Sequence, residues 1–166
     1  MKNIVLKNAI IVDPSQNINS KGSIVIKDKI IFDPILNKDI SFDKDNYDII
    51  DCKNLMLCPG FVDIKCHLRV PGEEHKENLS YASQSAASAG ITSLVCMPNT
   101  DPIIDNVSMV ELVQRKVRRE SDVKIFSTAS ITKQLKGKEL TEFGLLKEAG
   151  AVGLTDAIKA VDDATV

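Results

Sequence analysis

From Leu57 onward, short apolar runs alternate with helix-forming stretches at a spacing of roughly 30 residues, the period of a strand–helix–strand unit in a parallel sheet. Leu57 to Leu68 reads as a first strand, entered through Pro59-Gly60. His75 to Ala89 is rich in alanine and serine and reads as a helix stopped by Gly90, a residue suited to a helix C-terminus. Ile91 to Met97 gives a second strand. Asn106 to Arg119 gives a second helix, in which Ser108 and Glu111 have the spacing of a capping box. Val123 to Ile131, Lys138 to Ala149 and Ala151 to Thr155 continue as strand, helix and strand, with Gly150 closing the helix. Asp162 and Asp163 then resemble the opening of another helix.

The fold expected from this rhythm is mixed α/β: a partial TIM-like (β/α) barrel of about four βα units, where a closed barrel takes eight in about 250 residues. A four-strand parallel sheet leaves both edges and much apolar surface uncovered. The expectation is that the 166 residues are a fragment of a longer chain that would cover this surface. The alternative is a partner chain, and an oligomer is expected.

Residues 1–56 have a different texture. Asn3 to Val12 is rich in β-branched residues, Asp13-Pro14-Ser15 marks a turn, and Gly22 to Phe32 reads as a hairpin. Asp43 to Asp48 is polar, and Ile49 to Leu57 returns to apolar character. This segment is a small β unit, too thin to bury two faces alone.

With 43% hydrophobic residues the chain can bury a core, and a net charge of −2 argues against nucleic-acid binding. Arg115, Lys116, Arg118 and Arg119 cluster, but on a helical pattern that reads as a solvated helix face. The apolar stretch Ala9 to Val12 is far too short for a signal core or a membrane span. Cys52, Cys58, Cys66 and Cys96 show no paired metal spacing and read as reduced thiols, so a cytoplasmic location without membrane contact is expected.

Reactive groups of α/β barrels sit where strands end. Here the four strand ends carry Lys65-Cys66-His67-Leu68-Arg69, Met97-Pro98-Asn99-Thr100, Ser127 to Ile131, and Thr155-Asp156-Ala157. Each places polar groups directly after an apolar run, which favours a site over chance.

Several of these segments resemble the opening of a dihydroorotase barrel: Pro59-Gly60-Phe61-Val62-Asp63, then His67-Leu68-Arg69, then Pro71 to Glu77. Cys96 to Pro102 and Ala149-Gly150-Ala151-Val152 followed by Thr155-Asp156 continue the resemblance in order and at suitable spacing. It covers nearly the whole chain. It implies that residues 1–56 are the N-terminal β segment of a small composite domain, a β-sandwich segment, and residues 57–166 the first half of an amidohydrolase barrel.

The resemblance implies interconversion of carbamoyl aspartate and the cyclic amide dihydroorotate in pyrimidine biosynthesis, with zinc as cofactor. Zinc lowers the pKa of bound water to about 7 and polarises the ring carbonyl. In the family a His-x-His on the first strand supplies two ligands, since residues two apart in a strand face the same side. Here that pair reads Lys65-Cys66-His67, so His67 matches the second ligand and Lys65 replaces the first. An ammonium group has three donors and no acceptor, and it repels a dication. The family's Thr-Asp-Asp-Gly on the fourth strand reads Thr155-Asp156-Ala157-Ile158, which puts Ala157 where a second carboxylate is expected. No cofactor is therefore expected in this chain.

Arg69 and Asn99 match the arginine and asparagine that hold the substrate carboxylate in the family. Arg69 reads equally as the ion-pair partner of Glu73, Glu74 or Glu77, and Asn99 as a turn residue before Asp101-Pro102. His67 without a second histidine reads as a hydrogen-bonded imidazole more readily than as a metal ligand, and His75 as solvent-exposed.

Three functions follow. The resemblance is to the ligand-depleted branch of the family, which implies a non-catalytic structural partner of aspartate carbamoyltransferase. The others are a working metal-dependent cyclic amidohydrolase and a metal-free binder of a small carboxylate.

Overall fold

The computed structural model describes residues 3–38 and 41–166, and the chain divides into two compact units, Met1–Pro59 and Gly60–Val166. The division falls three residues beyond the expected end at residue 56, because Met56–Leu57 pair with the first strand.

The expected β-sandwich segment takes the form of one six-stranded sheet. At its centre β1 (Asn3–Asp13) pairs antiparallel with β2 (Ile18–Lys27). On its other edge β1 pairs parallel with β5 (Tyr47–Asp51) and β6 (Met56–Leu57). The short strands β3 (Ile30–Ile31) and β4 (Ile35–Leu36) add to β2.

The expected turn forms after β1, where Asp13 Oδ1 accepts from the Ser15 backbone N–H at 3.0 Å. The hairpin between β2 and β3 turns through Asp28 and Lys29, both at positive φ, as a two-residue turn matched to strand twist requires. Alternation along β1 buries Val5, Ala9 and Ile11; Ala9 and Ile11 pack with Cys52 in one small core.

In the second unit β7 (Phe61–Cys66), β8 (Ile91–Cys96) and β9 (Lys124–Ser127) form a parallel sheet in that order. The crossovers carry α1 (Leu79–Ser88) and α2 (Val107–Glu120), and α3 (Phe143–Glu148) follows β9. Leu79, Ala82, Ser83 and Ala86 recur at helical spacing and make the buried stripe of α1. Val110 and Val113 of α2 and Leu146 of α3 join this stripe against Leu94, Cys96 and Ile125 of the sheet. Burying a side chain such as Leu79 contributes about 1.5–3 kcal/mol. Gly90 stops α1 at φ +79, a left-handed conformation that side chains with a Cβ rarely adopt.

Several expected boundaries move. α1 starts at Leu79 rather than His75, because Asn78 Oδ1 caps it by accepting from the Tyr81 N–H at 2.9 Å. The cap of α2 is Asn106, which accepts from the Met109 N–H at 3.1 Å, so Ser108 lies inside the first turn and no Ser108–Glu111 box forms. β9 ends at Ser127 instead of Ile131, and α3 starts at Phe143 instead of Lys138. The fourth strand is reduced to one parallel bridge, Ala129 to Leu154, and no helix opens at Asp162.

The edges of this sheet are open and apolar, as a partial barrel requires. On β7, Phe61 and Val62 are each 60% exposed and Ile64 is 74% exposed. Val152 and Leu154, beside the bridge, are exposed as well. Among the described residues no helix is long and apolar enough to cross a membrane.

Candidate functional site

The ends of β7 and β8 are tied by the Met97 N–H, which donates to Cys66 O at 2.9 Å, and the loops that follow are tied by Asp101 N–H to Pro71 O at 3.2 Å. Gly72 makes the second contact possible. It sits at φ +105, and a Cβ there would lie 1.8 Å from the Asp101 carbonyl oxygen, a backbone atom that cannot swing aside. Gly72→Ala should therefore cost about 2 kcal/mol through backbone strain and a displaced loop. The check is a shift of the urea midpoint together with loss of amide protection at Asp101.

These loops bring His67, Arg69, Glu73, Asn99 and Thr100 to one cleft of about 180 Å³. Three sequence-derived candidates thus come together. His67 Nδ1 lies 3.0 Å from Asn99 Oδ1, a pairing in which the Nδ1–H donates to the amide oxygen and Nε2 is left unengaged. Of the three carboxylates considered for Arg69, Glu73 is the partner, at 3.1 Å. Lys76 pairs with the other oxygen of Glu73. The hydrogen bond from Lys76, with further attraction from Arg69, holds the Glu73 carboxyl below the usual range. The neighbouring Glu74 is likewise held low, first by Lys116 of α2, with help from the Gly72 N–H. His75 is exposed, as expected.

Lys65 is exposed at the end of β7, and its ammonium has no acidic partner among the described residues. Cys66 faces the core side, where burial pushes its thiol pKa up.

At the fourth strand end Asp156 is 3% exposed and fully engaged in the fold. It accepts from the Ile131 N–H at 2.8 Å, the Thr132 N–H at 3.0 Å and the Thr132 hydroxyl at 2.5 Å. Sequence reading had placed Asp156 only as the acid beside a missing ligand. Its partners lie about two dozen positions back in the chain, and no local pattern announces them. Ala157 follows at φ +55.

The described residues do not fit a zinc ion. Asp156 is committed to Ile131 and Thr132, Ala157 has no donor, and Lys65 adds positive charge beside His67. Among the described residues no three His, Cys, Asp or Glu side chains form a metal-holding group.

Parallel strands with helical crossovers, and polar groups gathered at the strand ends, define the class: part of a (β/α) barrel. Among solved structures, the L-hydantoinase (dihydropyrimidinase) from Arthrobacter aurescens superposes with a TM-score of 0.75 at 21% identity, over 93% of this chain and 32% of that one. A crystal structure of a dihydroorotase superposes with a TM-score of 0.59 at 16% identity, over 93% of this chain and 42% of that one. The family is settled by sequence: the dihydro-orotase-like family model matches residues 54–166, and the chain belongs to that family. It is 40% identical to the dihydroorotase of Aquifex aeolicus (strain VF5) over 166 residues, all of this chain and 38% of the relative. It is 43% identical to the dihydroorotase of Wolbachia sp. subsp. Drosophila simulans over 155 residues, 92% of this chain and 34% of the relative. The chain thus spans less than two fifths of the length of these curated relatives.

Proposed function

We propose that this is a dihydroorotase-like protein of pyrimidine biosynthesis that has lost zinc-dependent ring hydrolysis and serves as a structural partner of aspartate carbamoyltransferase, in an oligomeric assembly in the cytoplasm. The observation that carries the loss is the strand end Lys65-Cys66-His67, where an ammonium stands two residues before the lone imidazole. The committed Asp156 and the donorless Ala157 support it from the fourth strand end.

Two measurements on the purified protein test the proposal. Zinc is expected well below one ion per chain, with no turnover of dihydroorotate. The chain is expected to comigrate with purified aspartate carbamoyltransferase in size-exclusion chromatography. One zinc per chain with turnover would overturn the first part, and independent elution of the two proteins the second.

A second reading, a metal-free binder of a small carboxylate, is favoured by the cleft that gathers Arg69 and Asn99. Arg69 presents a fork suited to a carboxylate, and Asn99, with its oxygen turned to His67, keeps its amide donors. In this reading an incoming carboxylate takes the place that Glu73 holds on Arg69.

A further inference from the structure

The first unit contains a cavity that the barrel chemistry does not use. It measures about 350 Å³ and is lined by Asn8, Lys21, Gly22, Ser23, Asn37 and Lys38. We propose that this cavity is a binding site for a small oxyanion of the phosphate type, supplied by two lysine ammonium groups and the hydroxyl of Ser23.

The charge is arranged for an anion. Lys21 lies on β2 and Lys38 just past β4, and the Asn37 N–H donating to Lys21 O at 2.9 Å joins their backbones into one rim. Neither ammonium has an acidic partner among the described residues. A carboxylate does touch the lining, that of Asp51, through an Oδ1 that is already occupied. It accepts from Asn8 Nδ2 at 2.9 Å and from the Lys53 N–H at 3.1 Å.

Ser23 is the second, independent observation. It is only 5% exposed, yet its hydroxyl makes no hydrogen bond within the described residues. The hydroxyl stands at the cavity wall with no protein partner, open to a ligand or to water. A ligand oxygen in the cavity would accept from it.

The chemistry selects the ligand class. An ammonium is a compact point charge with three rotatable donors and suits a tetrahedral oxyanion, whereas planar carboxylates are matched by the guanidinium fork. The volume lies at the small end of ligand cavities, about right for a phosphate group and its water. The polar lining gives an apolar ligand no reason to enter.

The test is a titration of the isotopically labelled 166-residue chain with inorganic phosphate at constant ionic strength, followed by amide chemical shifts. Saturable shifts are expected at Lys21, Ser23, Asn37 and Lys38. The double variant Lys21→Ala with Lys38→Ala should bind about tenfold more weakly, the loss of two exposed charge contacts. Lys27→Ala, on the same strand but outside the cavity, should bind as the wild type does and so controls for net charge. Both cavity lysines are exposed, so the fold should survive, and the single variants serve if the double one does not fold. Shifts that rise linearly without saturating overturn the proposal, as does an unchanged isotherm in the lysine variants.

Discussion

Asp156→Ala should destabilise the second unit by about 4 kcal/mol, because three donors lose a charged acceptor at once. The Ile131 and Thr132 amides and the Thr132 hydroxyl all converge on this carboxylate, and Thr132 is completely buried. Water cannot reach the freed donors unless the loop opens. Asp156→Asn should cost about 2 kcal/mol, since its amide oxygen can still accept from the two backbone N–H groups while the hydroxyl loses its partner. Urea denaturation followed by circular dichroism measures both values, and hydrogen exchange at Ile131 and Thr132 locates the effect. If Asp156→Ala unfolds at the wild-type midpoint with those amides still protected, the carboxylate does not hold the loop.

The same carboxylate explains why the sequence was readable up to β9 and then less so. The α1 and α2 stripes, the stop at Gly90 and strand β8 all follow from local pattern, because apolar residues at helical or alternating spacing have one way to reach the core. Thr128 to Ile131 is also β-favouring, but it leaves the strand to meet an acid about 25 residues further on. Lys138 to Thr141 looks helical, yet the Thr141 N–H donates to Ile131 O at 2.9 Å and its hydroxyl to Ser130 O at 2.7 Å. Long-range hydrogen bonds override propensity in both places. The helix starts moved for a more local reason. An asparagine with extended backbone one residue before the helix outcompetes residues further along, as Asn78 and Asn106 show.

The site divides along the same line. Lys65, His67, Arg69 and Asn99 could be picked out because strand ends and short motifs mark them, and Glu73 was one of three nearby carboxylates stated as partners for Arg69. That His67 and Asn99 would be bonded to each other could not be read, since it depends on how the ends of β7 and β8 lie side by side.

Lys65→His combined with Ala157→Asp should raise zinc affinity about ten-thousandfold. Four-ligand zinc sites are worth about 10–16 kcal/mol, roughly 3 kcal/mol per ligand, and the two changes add two ligands and remove a repelling charge. Position 65 lies two residues before His67 at the end of β7, and the left-handed backbone at Ala157 tolerates aspartate better than most residues. Zinc can bind His67 at Nε2 while the Nδ1–H stays with Asn99, a bond that fixes the ring. Equilibrium dialysis gives the affinity, and a shift of the His67 Nε2 resonance in the imidazole nitrogen spectrum shows where the ion sits. Lys65→His alone should give a smaller gain than the pair. Should the wild-type chain already bind one zinc per molecule through His67, electrostatic exclusion at this strand end would be refuted. Should the double variant gain nothing, the side chains at 65 and 157 are not what keeps zinc from this strand end.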